Sequence, residues 1–266
     1  MLCVENLQAS LGGRPVLQGI TLTARAGEVT AICGANGAGK STLLRAILGE
    51  IPSTGRMRLN GRDLRAQSAK ALAQTRAVLA QDTQVAFAFT VAEVVAMGLE
   101  AGVAAQEAGS TAHSLIAQAL AAVGLAGYGP RALHSLSGGE RQRAQLARAL
   151  AQVWNPVGPE GPRWLFLDEP VASLDLGHQL QVMSLARAFA DAGGGVVMVM
   201  HDLNLTMSTA QHMAFLIDGH IMAAGPAEQV ITPDLLKRAY GCAVPLNTAP
   251  QSGPWFLPQS CVMANI

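Results

Sequence analysis

Hydrophobic and polar positions in this chain follow two rhythms, one of period two and one near 3.6, that replace each other along its length. Residues 2 to 9 alternate loosely, and Pro15 to Thr23 forms a second strand-like stretch ahead of a turn at Ala26-Gly27-Glu28. Val29 to Cys33 reads as a short apolar strand running directly into a glycine-rich loop, and Ser41 to Leu48 follows as a helix with Leu43, Leu44, Ile47 and Leu48 on one face. Met57 to Asn60 and Ala77 to Ala80 are further strand expectations. From Thr90 to about Val123 the pattern is helical and alanine-rich, interrupted by Gly98, Gly102 and Gly109. A helix over Glu140 to Val153 is expected to turn Arg141, Arg143 and Arg148 to water and Leu146, Ala147 and Leu150 inward. A turn-rich connector, 155 to 162, separates it from a buried strand at Trp164 to Leu167. A helix from Leu176 to Ala192, a strand from Val196 to Met200, and a hairpin pairing Ala214 to Ile217 with Ile221 to Ala224 complete the pattern. Beyond Tyr240 the chain carries Pro245, Pro250, Pro254 and Pro258, and an irregular appendage is expected there.

The loop before the first helix reads Gly34-Ala35-Asn36-Gly37-Ala38-Gly39-Lys40-Ser41-Thr42 and matches Gly-x-x-x-x-Gly-Lys-Ser. Glycines at that spacing let successive backbone N–H groups turn inward around phosphates while the lysine reaches the terminal ones. Strand, glycine loop, helix is the context this motif requires. The chain has only Lys40, Lys70 and Lys237, and one of them occupies the motif's lysine position. Downstream, Leu165-Phe166-Leu167 ends in Asp168-Glu169. A carboxylate at a strand's end can hold Mg²⁺ through water, and the next can polarise a water that attacks a γ-phosphate. Asp168 is expected in the first role and Glu169 in the second, although in isolation two acids after a core strand are better read as surface groups. A second glycine motif, Leu136-Ser137-Gly138-Gly139-Glu140, opens a helix, so that Ser137, Gly138 and Gly139 offer N–H donors to an anion.

Composition narrows the classes. Eighteen basic and eighteen acidic residues cancel, so nothing in the overall charge favours nucleic acid or anionic lipid. Half the residues are hydrophobic and mean hydropathy is +0.29, which raises the question of a membrane span. The apolar run from Val85 to Leu99 is broken by Thr90 and Glu93, and Gly195 to Met200 is too short to cross a bilayer. Buried strands plus a docking surface for another protein account for the excess. Cys3, Cys33, Cys242 and Cys261 are too scattered for zinc spacing, and the N-terminus has no basic-then-apolar signal; reduced thiols in a cytosolic protein are expected.

Taken in order, the loop at 34 to 42, Gln81, Leu136 to Glu140, Leu165 to Glu169, Ser173-Leu174-Asp175 and His201 make the chain resemble the ATP-binding subunits of ABC transporters along nearly its whole length. The resemblance implies an α/β fold: a P-loop NTPase (RecA-like) core with a helical subdomain and an N-terminal antiparallel β region. It divides the chain into residues 1–84 and 154–240 for the core, 85–153 for the helical subdomain and 241–266 for an appendage. It implies ATP and Mg²⁺ as cofactors, with Ser41, Gln81 and Asp168 around the metal, Gln81 also sensing the membrane partner, and His201 on the γ-phosphate. By the same resemblance Ser137, Gly138, Gly139 and Asp175 face the nucleotide of an opposite subunit. The implied assembly is a homodimer joined to two transmembrane permease subunits and, indirectly, a periplasmic haem-binding protein, on the cytoplasmic face of a bacterial inner membrane. The family commonly stacks an aromatic ring on adenine just after the first strand, where this chain has Leu11; Leu11 and Val16 are either apolar contacts to the base or, for Leu11, part of the core.

Phe87-Ala88-Phe89-Thr90-Val91 stands where the family receives the coupling helix of the permease, and core is the equal alternative. The stretch Phe89 to Gly98 resembles importers of iron-siderophore, haem and cobalamin cargo. The connector at 155 to 162, Ser173 to Gln179 and Ala239-Tyr240-Gly241 look most like the haemin-import members, with Leu99 departing where many relatives have arginine. Ferric siderophore or cobalamin is the alternative cargo. A soluble ABC ATPase acting in DNA repair or translation is the alternative class, but the chain lacks the coiled-coil arms or tandem cassettes such proteins carry.

Overall fold

The computed structural model describes residues 1–81, 88–102, 111–243, 245–249 and 251–258. Phe87, Gly109, Pro250, Cys261 and the expected boundary between residues 84 and 85 lie outside the described residues. The chain divides into two compact units: Met1–Arg25, Val29–Arg65 and Val199–Ile266 form one, Ala26–Glu28 and Ala66–Met198 the other.

In the first unit, strands Leu2–Leu11 and Arg14–Ala24 pair antiparallel around a Gly12-Gly13 turn, and Thr54–Leu59 and Arg62–Asp63 extend the sheet on the other side of the first strand. The loose alternation is real but broken by register shifts, which bend the pair. The strand Val29–Cys33 is buried on both faces, which is why it reads as an apolar run rather than an alternation. It runs parallel to His212–Ile217, with Phe215 opposite Cys33, and that strand turns antiparallel into His220–Pro226. The helix Lys40–Leu48 buries Leu43, Leu44, Ile47 and Leu48. Near the end of the unit, Thr232 caps and Pro233 opens a helix that stops at Gly241, whose φ of 72° is left-handed.

In the second unit, Gly195–Val199, Trp164–Asp168 and Arg76–Leu79 lie side by side, the latter two parallel. Trp164 and Phe166 are fully buried, each contributing roughly 2–3 kcal/mol of transfer energy. Gly195 makes room for the Trp164 ring, since a Cβ there would lie 2.4 Å from it. Helices Val91–Ala101, Ala112–Ala122, Gly138–Gln152 and Leu176–Asp191 surround these strands in sequence, and each starts at a polar cap: Thr90, Thr111, Ser137 and Asp175.

Three expectations are corrected here. Arg143 does not face water: it is 7 % exposed and its Nη1 donates to the carbonyls of Val123 and Gly124 at 3.0 and 3.2 Å, at the C-terminal end of the Ala112–Ala122 helix. Arg148 turns inward too, donating to Gln145 Oε1 and to the Val78 carbonyl, both at 2.9 Å. Gly98 lies inside the Val91–Ala101 helix and does not interrupt it, whereas Gly102 ends it as expected; a Cβ at either would sit 2.1 Å from the carbonyl of Arg148 or Gln152. Those two glycines let the backbones of Val91–Ala101 and Gly138–Gln152 touch. The connector is also more ordered than a turn-rich loop suggests, because Val157–Gly158 and Gly161–Pro162 pair as a small hairpin beside the buried Arg163. Leu99, the departure from the resembled group, is 6 % exposed and belongs to the core.

Replacing Gly98 by alanine is expected to lower folding stability by about 1–3 kcal/mol, because forcing a methyl onto a carbonyl outweighs the roughly 1 kcal/mol that alanine adds to a helix. Denaturant unfolding of Gly98→Ala measures it; a stability equal to or above the parent contradicts the close helix contact.

Candidate functional site

The phosphate loop starts where the Val29–Cys33 strand ends. Gly34, Gly37 and Gly39 have φ of 147°, 80° and 102°, a left-handed run closed to most side chains. Two of the three are also held by contact: a Cβ on Gly34 would lie 2.2 Å from the Leu216 carbonyl, and one on Gly39 would lie 3.2 Å from Leu17 and 3.3 Å from Val16. Val16, expected at the base, therefore packs under the loop, and so does Leu17, which the sequence motif does not reveal. The Asp218-Gly219 turn closes the other side, Gly219 N donating to the Ala38 carbonyl at 3.3 Å and Gln18 N to the Gly219 carbonyl at 2.9 Å.

Gly39 stands at the start of the Lys40–Leu48 helix and brings no side-chain cap, so the first-turn N–H groups around Ser41 and Thr42 point out of the helix toward the loop. Lys40 is 5 % exposed, and its Nζ donates to the Gly34 and Ala35 carbonyls at 2.9 and 3.0 Å. Its charge is thus stored against the loop's own backbone. Below it, burial pushes the Cys33 thiol up to about 12 against the opposing pull of Lys40 and Thr206, so Cys33 stays neutral. His201 follows Met200, whose N donates to the Ile32 carbonyl at 3.1 Å; it is exposed at the same strand end from which the loop departs. Asp202 next to it caps the short helix Leu203–Thr209. Leu11 is 41 % exposed, which removes the core alternative for it.

The second unit carries the acids and the second glycine motif. Asp168 ends its strand at 6 % exposure, and Glu169 follows with φ 49°, a costly backbone for a non-glycine residue of the kind that collects at functional sites. Gln142 stabilises that turn by donating to the Glu169 carbonyl at 2.9 Å, and Gln81 Nε2 donates to Glu169 Oε2 at 2.9 Å. Gln81 and Glu169, expected in one site from positions 88 residues apart, are in direct contact. The sequence motifs do not reveal Gln142, which lies on the helix the second glycine motif opens, one turn beyond Gly138.

Ser137 caps that helix reciprocally with Glu140: Ser137 Oγ accepts from Glu140 N at 3.3 Å, and Glu140 Oε2 accepts from Ser137 N at 2.8 Å. These bonds, with the Tyr128 hydroxyl donating at 3.0 Å, hold the Glu140 carboxyl below its ordinary range. An oxygen that accepts still has its own proton to give, so Ser137 presents its hydroxyl together with the first-turn N–H groups of Gly138 and Gly139. Around Gly138 a Cβ meets nothing within 4 Å, whereas at Gly139 it would press on the Ser173 carbonyl at 3.0 Å. The segment Ser173-Leu174-Asp175 is thereby seated on the motif. Asp175 is exposed, caps Leu176–Asp191 through His178 N at 3.0 Å, and holds His178 Nδ1 at 2.8 Å.

Among the described residues no cluster of three His, Cys, Asp or Glu side chains could cage a metal ion. Ser41 carries a hydroxyl in the first unit, and Gln81 and Asp168 carry an amide oxygen and a carboxylate in the second; each is a hard oxygen donor of the kind Mg²⁺ takes. No helix of the described residues is long and apolar enough to cross a membrane.

Residues 17–172 match the family model described as ABC transporter. Over 257 residues the chain is 53 % identical to "Hemin import ATP-binding protein HmuV" of Jannaschia sp. (strain CCS1), spanning 97 % of this chain and 93 % of the relative. It is likewise 53 % identical over 260 residues to the protein of that name from Roseobacter denitrificans (strain ATCC 33942 / OCh 114), spanning 97 % and 98 %. Among solved structures, an ATP-binding cassette in a dimeric post-hydrolysis state bound to ADP and Pi is similar with a TM-score of 0.72 at 23 % identity, covering 85 % of this chain and 99 % of that one, a likeness of fold.

Leu11→Tyr is expected to tighten ATP binding by about 1 kcal/mol, roughly fivefold, through ring stacking, with folding stability unchanged because the position is exposed. Calorimetric titration decides it, and an unaltered affinity removes Leu11 from the adenine contact.

Proposed function

We propose that this chain, which belongs to the ABC transporter family of ATP-binding proteins, is the ATP-hydrolysing subunit of an importer that carries haemin across a bacterial inner membrane. The observation that carries the ATPase role is the phosphate loop: a buried strand that ends in three left-handed glycines, an uncapped helix start and a lysine held within reach. The cargo rests on relatives named for hemin import at 53 % identity over nearly full length.

In this reading the phosphates of ATP replace the Gly34 and Ala35 carbonyls as partners of Lys40, since a charge-assisted bond to phosphate is stronger than one to a neutral carbonyl. The loop N–H groups from Gly34 to Thr42 surround the β- and γ-phosphates, and Val16 and Leu11 give apolar contact to the base. Ser41, Gln81 and Asp168 would hold Mg²⁺, which when bound would supply neutralising positive charge to the phosphates. Glu169 takes the proton of the attacking water, oriented by Gln81 on one side and by a backbone that Gln142 fixes on the other. His201 donates to the γ-phosphate. Ser137, Gly138 and Gly139 accept the γ-phosphate of a second copy, with Asp175 at the contact, so each of two ATP molecules is enclosed by two chains. Binding closes the homodimer and hydrolysis releases it. Two permease subunits convert that motion into transport, and a periplasmic haem-binding protein delivers the cargo. The chain sits peripherally on the cytoplasmic face.

Reconstitution with its permease and binding protein in proteoliposomes tests this. Haemin is expected to accumulate inside with ATP consumed, and Glu169→Gln is expected to cut turnover at least about a hundredfold while ATP still binds. Uptake of ferric siderophore or cobalamin with none of haemin contradicts the cargo; undiminished turnover in Glu169→Gln contradicts the base.

A further inference from the structure

The second glycine motif carries an anion of its own, Glu140, in the first turn of the helix it opens. A carboxylate suits a helix N-terminus, and for the same reason it competes there with any other anion. Both of its oxygens are engaged, and neither on the N–H groups of Gly138 or Gly139: Oε2 accepts from Ser137 N at 2.8 Å and Oε1 from the Tyr128 hydroxyl at 3.0 Å. The bonds with Ser137, then that with Tyr128, lower its carboxyl, so the group held in this way is a full negative charge. Beside Gly138 the space is open, since a Cβ there would meet nothing within 4 Å.

Tyr128 is itself fixed from two directions. The Arg131 guanidinium lies over its ring, 3.9 Å from the centroid. Its backbone closes two turns, Tyr128 N donating to the Leu125 carbonyl at 3.1 Å and Arg131 N to the Tyr128 carbonyl at 2.9 Å. The loop that carries both side chains is tied to the start of the Val91–Ala101 helix, where Val91 N and Ala92 N donate to the carbonyls of Arg131 and Gly129 at 2.9 and 3.0 Å. The phenol therefore reaches Glu140 from a rigid support, and none of the roles assigned above uses it.

We propose that Tyr128 is a positioning residue for the second glycine motif: its hydroxyl keeps the Glu140 carboxylate on the Ser137 side and leaves the Gly138 and Gly139 N–H groups to the γ-phosphate of a second copy. Without that bond the carboxylate hangs by one oxygen and can turn toward the same N–H groups, where it repels the incoming phosphate. Tyr128 touches neither nucleotide nor the reacting atoms, so it acts on closure of the dimer and not on the binding of ATP to one chain. This inference rests on the reading in which the motif receives the nucleotide of a second copy.

Tyr128→Phe in the full chain keeps the ring and its contact with Arg131 and removes the hydroxyl. In the Glu169→Gln background, sedimentation with ATP and Mg²⁺ is expected to show a dimer dissociation constant raised about fivefold, the order of one net hydrogen bond. ATP affinity measured at protein concentrations too low for dimers is expected to stay unchanged. A lower unfolding temperature with dimerisation equal to the parent's overturns the proposal. Adding Glu140→Gln tests the charge, because no carboxylate is left to be held aside: there Tyr128→Phe is expected to leave dimerisation unaltered. An equal loss of dimer in the Glu140→Gln chain makes Tyr128 merely structural and overturns the proposal. A Glu169→Gln chain that stays monomeric with ATP overturns the dimer reading and this inference with it, whereas a dimer that forms equally well with Tyr128→Phe overturns only the role of Tyr128.

Discussion

Everything at the nucleotide end of the first unit depends on one steric constraint, the contact between the Cα of Gly34 and the carbonyl of Leu216. No side chain fits there, since a Cβ would lie 2.2 Å from that oxygen. The strand Val29–Cys33 can therefore run buried against His212–Ile217 to its last residue and then leave it at once as a loop. Gly39 repeats the device against Val16 and Leu17, and Gly219 repeats it against the Val16 carbonyl at 2.2 Å. The loop is a backbone cradle fixed by close packing on its outer side, which leaves its N–H groups directed to whatever occupies the inner side. Preorganisation of this sort costs nothing at the moment a phosphate arrives.

In the second unit the Gly138–Gln152 helix plays the corresponding part. Its N-terminus is the second glycine motif, held by the Ser137–Glu140 cap. One turn in, Gln142 fixes the strained Glu169 backbone, and then Arg143, Arg148 and Gln152 reach out to carbonyls of Val123, Gly124, Val78, Ala73 and Arg76. A helix with so many polar side chains looks like a solvent-facing one. Here those side chains satisfy the ends of neighbouring helices and strands, and the helix backbone contributes the rest through its contacts at Gly98 and Gly102. The same element therefore supports the acid at Glu169 and presents the donors of Ser137 and Gly138.

Much of this was legible in the sequence where a short-range pattern carries it. Fully buried strands such as Val29–Cys33 and Trp164–Asp168 show as apolar runs, the Asp218-Gly219 hairpin shows as a turn between alternating segments, and the phosphate loop shows because its glycines are needed at fixed spacing. The direction of Arg143 and Arg148 was not legible, because whether a guanidinium finds water or a carbonyl depends on the ends of segments 20 and 70 residues away. Gly98 looks like a helix breaker until the facing backbone is known, whereas Gly102 does end the helix. Gln142 is not legible for the same reason: it acts through one peptide group, that of Glu169, which lies far off in the chain. For Leu11 the sequence allows either base contact or core, and its exposure excludes the core.

In the proposed dimer the Ser137 motif completes the nucleotide site of a second copy. Sedimentation of Glu169→Gln, with and without ATP and Mg²⁺, and with Ser137→Arg added, tests it most directly. The account predicts a monomer that becomes a dimer only with ATP, and a double variant that binds ATP and stays monomeric because the arginine fills the place of the phosphate. A double variant that still dimerises with ATP would contradict it.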